Sequence, residues 1–486
     1  MGMKKVVTRF APSPTGYIHI GNLRSAILPY LLARQTKGTY ILRIEDTDRA
    51  RYVEGATELI METLKWVGVN WDEGPDVGGP NNPYYQTQRT ETYYQWAQKL
   101  VDAGMAYADT RSPEEIDKLR KDAAAKKMPF LARNYRPAKT PKWKIGLPLR
   151  FKQTKLEPVE WDDAVYGKMS AGPEVLDDFI LIKADGLPTY NFGHIVDDAE
   201  MKITHAFRGQ EYLSSMPNYL TLYDALGLER PVLVHMPHIL RPDGRKKLGK
   251  RDGAKSAADY RDDGVLPEAM LNFLACLGWN DGSEQEIYSM DELIAKFSID
   301  RIQRAGARFD EQKLIWMNGQ WIRKLYAENP TELYARAEKF WGEAAKNASE
   351  KQKHAIFDII YDRLKTLADL SDMTGYFFAD PEVDLQMLTQ NKFLSKLSEE
   401  ELQNLLQAAV KKLNAVENWK AEKLQEALNE LLAETNQKPA VLFSAIRIAL
   451  SFAPFSPALP ETTAVLGKKV TLARLNAVVR ALSGER

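Results

Sequence analysis

Residues 9–22 read Arg-Phe-Ala-Pro-Ser-Pro-Thr-Gly-Tyr-Ile-His-Ile-Gly-Asn, and no other stretch limits the architecture as strongly. Ahead of it, Lys4 to Phe10 is a short β-branched run that predicts a strand. Behind it, Leu23 to Arg34 carries apolar residues at three- and four-residue spacing, which predicts a helix. Prolines, a glycine and small hydroxyl residues fill the join. The first N–H groups of a helix have no partner inside it, so a strand feeding a helix through a tight turn offers an anion site. Thr15 and His19 add side-chain donors at that spot. The glycine spacing of a P-loop or a dinucleotide fingerprint is missing.

The chain then alternates strand and helix. Gly38 is placed to cap the first helix, and Pro29 should kink it or end its first turn. Tyr40 to Ile44 predicts a strand that runs into the charged string Glu45-Asp46-Thr47-Asp48-Arg49-Ala50-Arg51, at the strand end where open α/β sheets bind ligands. Amphipathic helices follow over Val53–Val67 and Tyr93–Ala103. Ser112-Pro113-Glu114-Glu115 is a capping box with proline at the first helical position. Phe179–Ile182 predicts a strand, Asp185-Gly186 a hairpin turn, and Leu187–Phe192 a returning strand. A helix from Met216 to Gly227 and a strand over Val232–Met236 lead to the glycine-punctuated basic loop Pro242–Gly253. Its crowded cations would repel one another unless an anion such as a triphosphate sat among them. Beyond Asp259 the pattern turns helical, with a helix between Pro267 and Gly278 and further starts at Ser289, Asn329 and Ser398. No convincing strand follows Ile322.

Composition narrows the partners. Lys+Arg and Asp+Glu both number 66, so a global basic footprint for nucleic acid is missing. Cations are instead segregated between about Tyr107 and Lys155, including Lys118, Lys121, Lys126, Lys127, Arg133, Arg136, Lys139 and Arg150. Such a face suits a phosphate backbone or is simply solvated. No apolar run is long enough for a membrane span, and the chain opens without a signal-peptide pattern. Its one cysteine, Cys276, is expected as a buried small hydrophobe in a reducing, cytoplasmic compartment.

Residues 9–22 resemble the "HIGH" signature of class I aminoacyl-tRNA synthetases, and the leading Arg-Phe-Ala-Pro-Ser-Pro-Thr-Gly narrows this to the glutamyl/glutaminyl branch. Lys247-Leu248-Gly249-Lys250-Arg251 resembles the "KMSKS" loop, with Gly249 in place of the usual serine. Tyr40–Arg51, His194–Asp198 and Thr204–Leu213 are similar to glutamyl-tRNA synthetases in string and in order. The segment Val441–Arg480 resembles the helical anticodon-binding cage of the bacterial glutamyl enzymes, whereas glutaminyl enzymes end in β-barrels.

The resemblance implies a fold and a site. The fold would be α/β: a Rossmann-like parallel-sheet catalytic domain split by an α+β insertion, followed by all-α anticodon-binding domains. The expected boundaries are 1–106 and 178–255 for the catalytic halves, 107–177 for the acceptor-binding insertion, 256–325 for a stem-contact region, 326–375 for a helical domain and 376–486 for the anticodon-binding domain. The activity implied is glutamate–tRNA ligation through a glutamyl-adenylate. Catalysis would fall to His19, Lys247 and Lys250. ATP would meet Pro12, Ser13, Thr15, His19, Gly21, Asn22, Glu211, Tyr212 and Lys250. Glutamate would meet Arg9, Ala11, Ser13, Glu45, Tyr190, His194 and Arg208, with the arginines on its side-chain carboxylate and Glu45 on its amino group. Relatives vary at His194, where asparagine occurs, and carry tryptophan at Tyr212. Arg51 and Arg447 are carried over as tRNA-binding. Magnesium is expected with ATP. Structural zinc is not, because Tyr107-Ala108-Asp109 stands where some relatives have a cysteine cluster. The family norm is a monomer. The resemblance leaves open whether tRNA(Gln) is charged besides tRNA(Glu). Alternatives are a glutaminyl-tRNA synthetase, a shorter type of nucleotidyltransferase sharing His-x-Gly chemistry, and a non-catalytic tRNA-binding paralogue.

Overall fold

The computed structural model describes residues 5–16, 18, 20–249, 255–453 and 456–484. His19 and Lys250 lie outside them. The chain divides into two compact units, one formed by Met1–Tyr260 with Pro267–Leu314 and one by Arg261–Leu266 with Ile315–Arg486.

The first unit opens with β1 (Val7–Phe10), α1 (Ile20–Gln35), β2 (Thr39–Leu42), α2 (Ala56–Trp66) and α3 (Thr90–Asp102). It continues with β3 (Ala106–Ala108), α4 (Pro113–Ala125), β4 (Leu149–Phe151), β5 (Val159–Asp163), β6 (Gly167–Ala171) and β7 (Ile180–Ile182). Then come α5 (Tyr190–Glu200), β8 (His205–Gly209), α6 (Met216–Ala225), β9 (Val232–Met236) and β10 (Ile239–Leu240), followed by α7 (Ala257–Asp262), α8 (Pro267–Cys276), α9 (Met290–Lys296) and β11 (Ala307–Arg308).

The strands that matter for the site run parallel. β1 pairs with β2 from Val7↔Thr39 to Phe10↔Leu42, and β8 pairs with β9 from His205↔Val232 to Gly209↔Met236. Thr204, just ahead of β8, ties the two pairs together: its N–H donates to the Val7 carbonyl at 2.9 Å, and its hydroxyl accepts from the Val7 N–H at 2.9 Å. The far side of β9 takes one parallel bridge from β5, on which β6 folds back antiparallel. β3, β4 and β7 make a separate antiparallel sheet. The expected parallel-sheet α/β architecture is present. The hairpin β5–β6, from residues 107–177, extends the sheet of β8 and β9.

Three local expectations change. α1 begins at Ile20 and runs unbroken through Pro29. Proline removes only its own N–H, and its carbonyl accepts from the Thr8 hydroxyl at 2.8 Å, pinning α1 to β1. At the end of that helix it is Lys37, not Gly38, that takes the left-handed conformation, with φ 51°. Gly38 is needed for a different reason: a Cβ there would run into the carbonyl oxygen of Val6. Finally, the predicted returning strand Leu187–Phe192 is limited to one bridge between Ile182 and Pro188, and Tyr190 opens helix α5. Cys276 is half-buried at the end of α8, and burial pushes its thiol up to about 12.

The second unit is helical among its described residues. α10 (Glu311–Glu328) enters it and is followed by α11 (Pro330–Ala337), α12 (Glu350–Ile360), α13 (Asp369–Phe378) and α14 (Leu385–Thr389). It ends with α15 (Glu399–Asn414), α16 (Ala421–Thr435), α17 (Pro439–Ser451), α18 (Leu459–Leu466) and α19 (Lys468–Leu482). The capping signals at Asn329 and Ser398 start α11 and α15, with side chains accepting from the third backbone N–H. Leu402, Leu406, Leu428, Leu442, Ile446 and Leu475 pack its core.

Candidate active site

The carboxyl ends of β1, β2, β8 and β9 open at the same edge of the sheet, where doubly wound α/β folds bind ligands. A cavity of about 650 Å³ lies there. One wall is the proline-rich turn after β1. Neither Pro12 nor Pro14 has an N–H, and their carbonyls accept from the backbone of Glu45 at 2.9 Å and of Val53 at 3.0 Å. The turn is thereby laid across the chain that leaves β2. Gly16 holds φ 114°, which its missing Cβ permits. Ala11, Pro12, Ser13, Thr15, Gly21 and Asn22 all face the cavity around the start of α1.

The floor is a buried charge network. Arg9, from β1, donates Nε and Nη2 to the Asp198 carboxylate at 3.0 and 3.1 Å and Nη1 to the Phe207 carbonyl at 2.9 Å. Arg43 donates Nη1 to Asp198 at 2.9 Å and Nη2 to Glu45 at 3.0 Å. Arg208, at the end of β8, touches Asp198 only through Nη2, at 3.3 Å. Its Nε and Nη1 are buried without a hydrogen-bond partner among the described residues. Against the cost of burial, the Asp198 carboxyl is held far below the usual range by the guanidinia of Arg9, Arg43 and Arg208. Behind it, Asp197 accepts from Arg89, Gln86 and Tyr93.

Tyr190, Tyr212 and Glu211 close the side formed by α5 and the turn after β8. The Tyr190 and Tyr212 rings lie 5.2 Å apart, and burial raises both hydroxyls above their ordinary value, which keeps them neutral donors. Glu211 forms an ion pair with Lys247 at 2.6 Å. Burial pulls its carboxyl upward, but the Lys247 ammonium holds it net below the usual range. Arg51 lines the rim, largely exposed and paired with Asp48.

Most of the residues predicted to meet ATP or glutamate therefore come together here. His194 does not reach the cavity wall: it lies behind Tyr190, with Nδ1–H donating to the Tyr190 carbonyl at 2.6 Å and its ring edge-on to Tyr219. Arg447 belongs to the helical unit, partly buried on α17, where burial and the nearby Arg363 lower its pKa. The sequence reading missed Arg24, Gln86, Lys183 and His238, all of which face the cavity. Arg24 had a readable signal, one helical turn beyond Gly21 on the same face. Its Nη1 donates to the Leu277 carbonyl at 3.0 Å and its Nη2 to the Pro237 carbonyl, and burial lowers its pKa to about 10. Gln86 and Lys183 follow from tertiary structure alone.

Comparison with known proteins fits this geometry. Residues 5–316 match the family described as tRNA synthetases class I (E and Q), catalytic domain. A glutamate–tRNA ligase from Clostridium botulinum is 42% identical over 479 residues, covering 97% of each chain. The chain belongs to the class I tRNA synthetases of the glutamate and glutamine branch. Residues 332–479 of the enzyme match an anticodon binding domain. A glutamate–tRNA ligase from Clostridium tetani is 38% identical over 493 residues, covering 100% of this chain and 99% of that one. The crystal structure of a glutamate tRNA ligase from Elizabethkingia meningosepticum in complex with its amino acid superposes with a TM-score of 0.88 at 34% identity, covering 99% of this chain and 100% of that one.

Proposed function

We propose that the cavity joins L-glutamate to tRNA(Glu) at the expense of ATP. The observation that carries this reading is the pair of unpartnered Arg208 donors in a buried site whose acidic groups are already engaged. A side-chain carboxylate supplies the anion that Arg208 needs, and an amide does not. Glu45, held by Arg43, is the anion left for an amino group. An α-carboxylate oxygen of glutamate then attacks the α-phosphorus of ATP, pyrophosphate leaves, and a glutamyl-adenylate remains. A hydroxyl of the terminal tRNA ribose next attacks the activated carbonyl and AMP leaves. The protein's share is alignment and charge stabilisation. The N–H groups at the start of α1, with Thr15, face one flank of the phosphates. On the other, Lys247 exchanges Glu211 for phosphate oxygens. His19 and Lys250 are assigned to the same work through their motifs.

The cavity carboxylates are paired: Glu45 with Arg43, Asp48 with Arg51 and Glu211 with Lys247. Magnesium therefore enters as part of the nucleotide substrate, held by phosphate oxygens. The helical second unit and the full-length similarity to glutamate–tRNA ligases favour the glutamyl over the glutaminyl reading and leave no ground for a short nucleotidyltransferase. Charging assays with glutamate and glutamine on tRNA(Glu) and tRNA(Gln) test the proposal. Glutamate should be esterified to tRNA(Glu) with ATP consumption. Charging of glutamine in its place would overturn the assignment, and the tRNA(Gln) lane decides the breadth of substrate. Arg208→Gln should lower kcat/KM for glutamate on the order of 10³-fold, as expected when a buried charge partner is lost.

A further inference from the structure

Four buried guanidinia, of Arg9, Arg43, Arg89 and Arg208, meet three buried carboxylates, of Glu45, Asp197 and Asp198, among the described residues. The network is one negative charge short. Asp198 decides where that deficit falls. It accepts from Arg9 twice, from Arg43 and from Arg208, and its side chain is 2% exposed. Arg9 is thereby held flat against Asp198 and the Phe207 carbonyl. Arg43 is turned so that its other terminal nitrogen reaches Glu45. Arg208 alone is gripped at one corner, by the longest of the four bonds; it lines the cavity, and its Nε and Nη1 are buried without a hydrogen-bond partner among the described residues.

We propose that Asp198 is the positioning residue that sets the enzyme's preference for a carboxylate over an amide side chain, by occupying Arg9 and Arg43 and leaving Arg208 as the guanidinium that meets the ligand. This rests on the glutamate reading above and names the residue behind its selectivity. An amide at 198 would place an N–H₂ donor against guanidinium donors. That releases Arg9, loosens Arg43 from its bearing on Glu45 and lets Arg208 swing. Asp197 is the matched control. It is as deeply buried, but its partners are Arg43, Arg89, Gln86 and Tyr93, and among the described residues it has no hydrogen bond or ion pair with Arg9 or Arg208.

The test uses the full chain in tRNA-dependent ATP–pyrophosphate exchange. The wild type must first turn over glutamate; if it does not, the glutamate reading fails and not this one. Asp198→Asn should then raise KM for glutamate by 30-fold or more, leave KM for ATP and tRNA within threefold, and cut the glutamate-to-glutamine ratio of kcat/KM at least tenfold. Asp198→Glu keeps the carboxylate and should recover part of that ratio. Asp197→Asn should lower thermal stability while leaving the ratio within threefold. An unchanged ratio in Asp198→Asn, a parallel rise of all three KM values, or an equal loss of selectivity in Asp197→Asn would overturn the proposal. Should Asp198→Asn fail to fold, Asp198→Glu carries the decision: KM values for glutamate and ATP that rise together assign Asp198 to the scaffold alone.

Discussion

At the scale of single residues, burial decides what a titratable group can do. His194 is 1% exposed, and its Nδ1–H is fixed on a carbonyl while Nε2 has no partner among the described residues. Burial first, and the neighbouring Arg208 charge second, push its pKa well below the ordinary histidine value. The folded protein therefore keeps His194 neutral where the unfolded chain protonates it, below pH about 6.5. The unfolded state then binds the extra proton, so stability falls as pH drops through that value and is fully regained above it. From pH 7 to pH 5.5 this one group should remove on the order of 1 kcal/mol of stability. His194→Asn, which cannot titrate, should be less pH-sensitive by that amount. Urea unfolding of both proteins at the two pH values measures it, with other titrating groups cancelling in the comparison. Parallel losses in the two proteins would show that His194 charges in the folded state.

At the scale of elements, the sheet of β3 and β4 and its flanking loops show ion pairs holding a fold together. Asp109 takes Nε of Arg111 at 2.7 Å, Nη2 of Arg111 at 2.8 Å and Nε of Arg150 at 2.8 Å. Asp178 takes both ends of the Arg136 fork at 2.7 Å and the Tyr107 hydroxyl at 3.0 Å. These carboxylates pin β3, β4 and the loops beside them. Removing one strands buried cations, so Asp109→Asn should cost about 3 kcal/mol. The loss should appear in the urea midpoint and in faster amide exchange at β3 and β4, with exchange in the helical unit unchanged. Signals that act over a few residues were legible in the sequence. The boxes at Ser112, Ser289 and Ser398 cap α4, α9 and α15 as their spacing requires. The turn before β2 and the start of α5 were misread because tertiary packing chose the outcome: the approach of Val6 demands Gly38, and the loop from Asp185 to Thr189 turns directly into helix. The motif residues of the cavity were readable as strings. Their division of labour was not, because Arg9 and Arg43 find Asp198 at sequence separations of 189 and 155.

At the scale of the whole molecule, the equal numbers of acidic and basic residues leave no net charge to draw a polyanion from a distance. Attraction to tRNA must then come from local segregation, and the structure sorts the basic run between residues 111 and 155 into two populations. Arg111, Arg133, Arg136 and Arg150 are spent on internal carboxylates and carbonyls. Lys118, Lys121, Lys126, Lys127, Lys139, Lys142, Lys144 and Lys155 are exposed, as is Arg120, which lies over the Phe130 ring, while Lys152 is half-buried. Arginine's planar fork suits the first task and, Arg120 apart, the hydrated, flexible lysine ammonium fills the second. If the exposed lysines meet phosphate, each releases counter-ions on binding, and the logarithm of tRNA affinity falls linearly with the logarithm of salt. Replacing Lys126, Lys127 and Lys139 together by alanine should flatten that line by about 0.7–0.9 for every lysine that touches phosphate. Filter binding of tRNA(Glu) across a salt series reads the slope. The glutamate and ATP dependence of the reaction should stay as in the wild type, because these lysines are remote from the Asp198 network in the chain and share no hydrogen bond with it among the described residues. A slope identical to wild type would assign them to solvent and move the tRNA contact elsewhere on the protein.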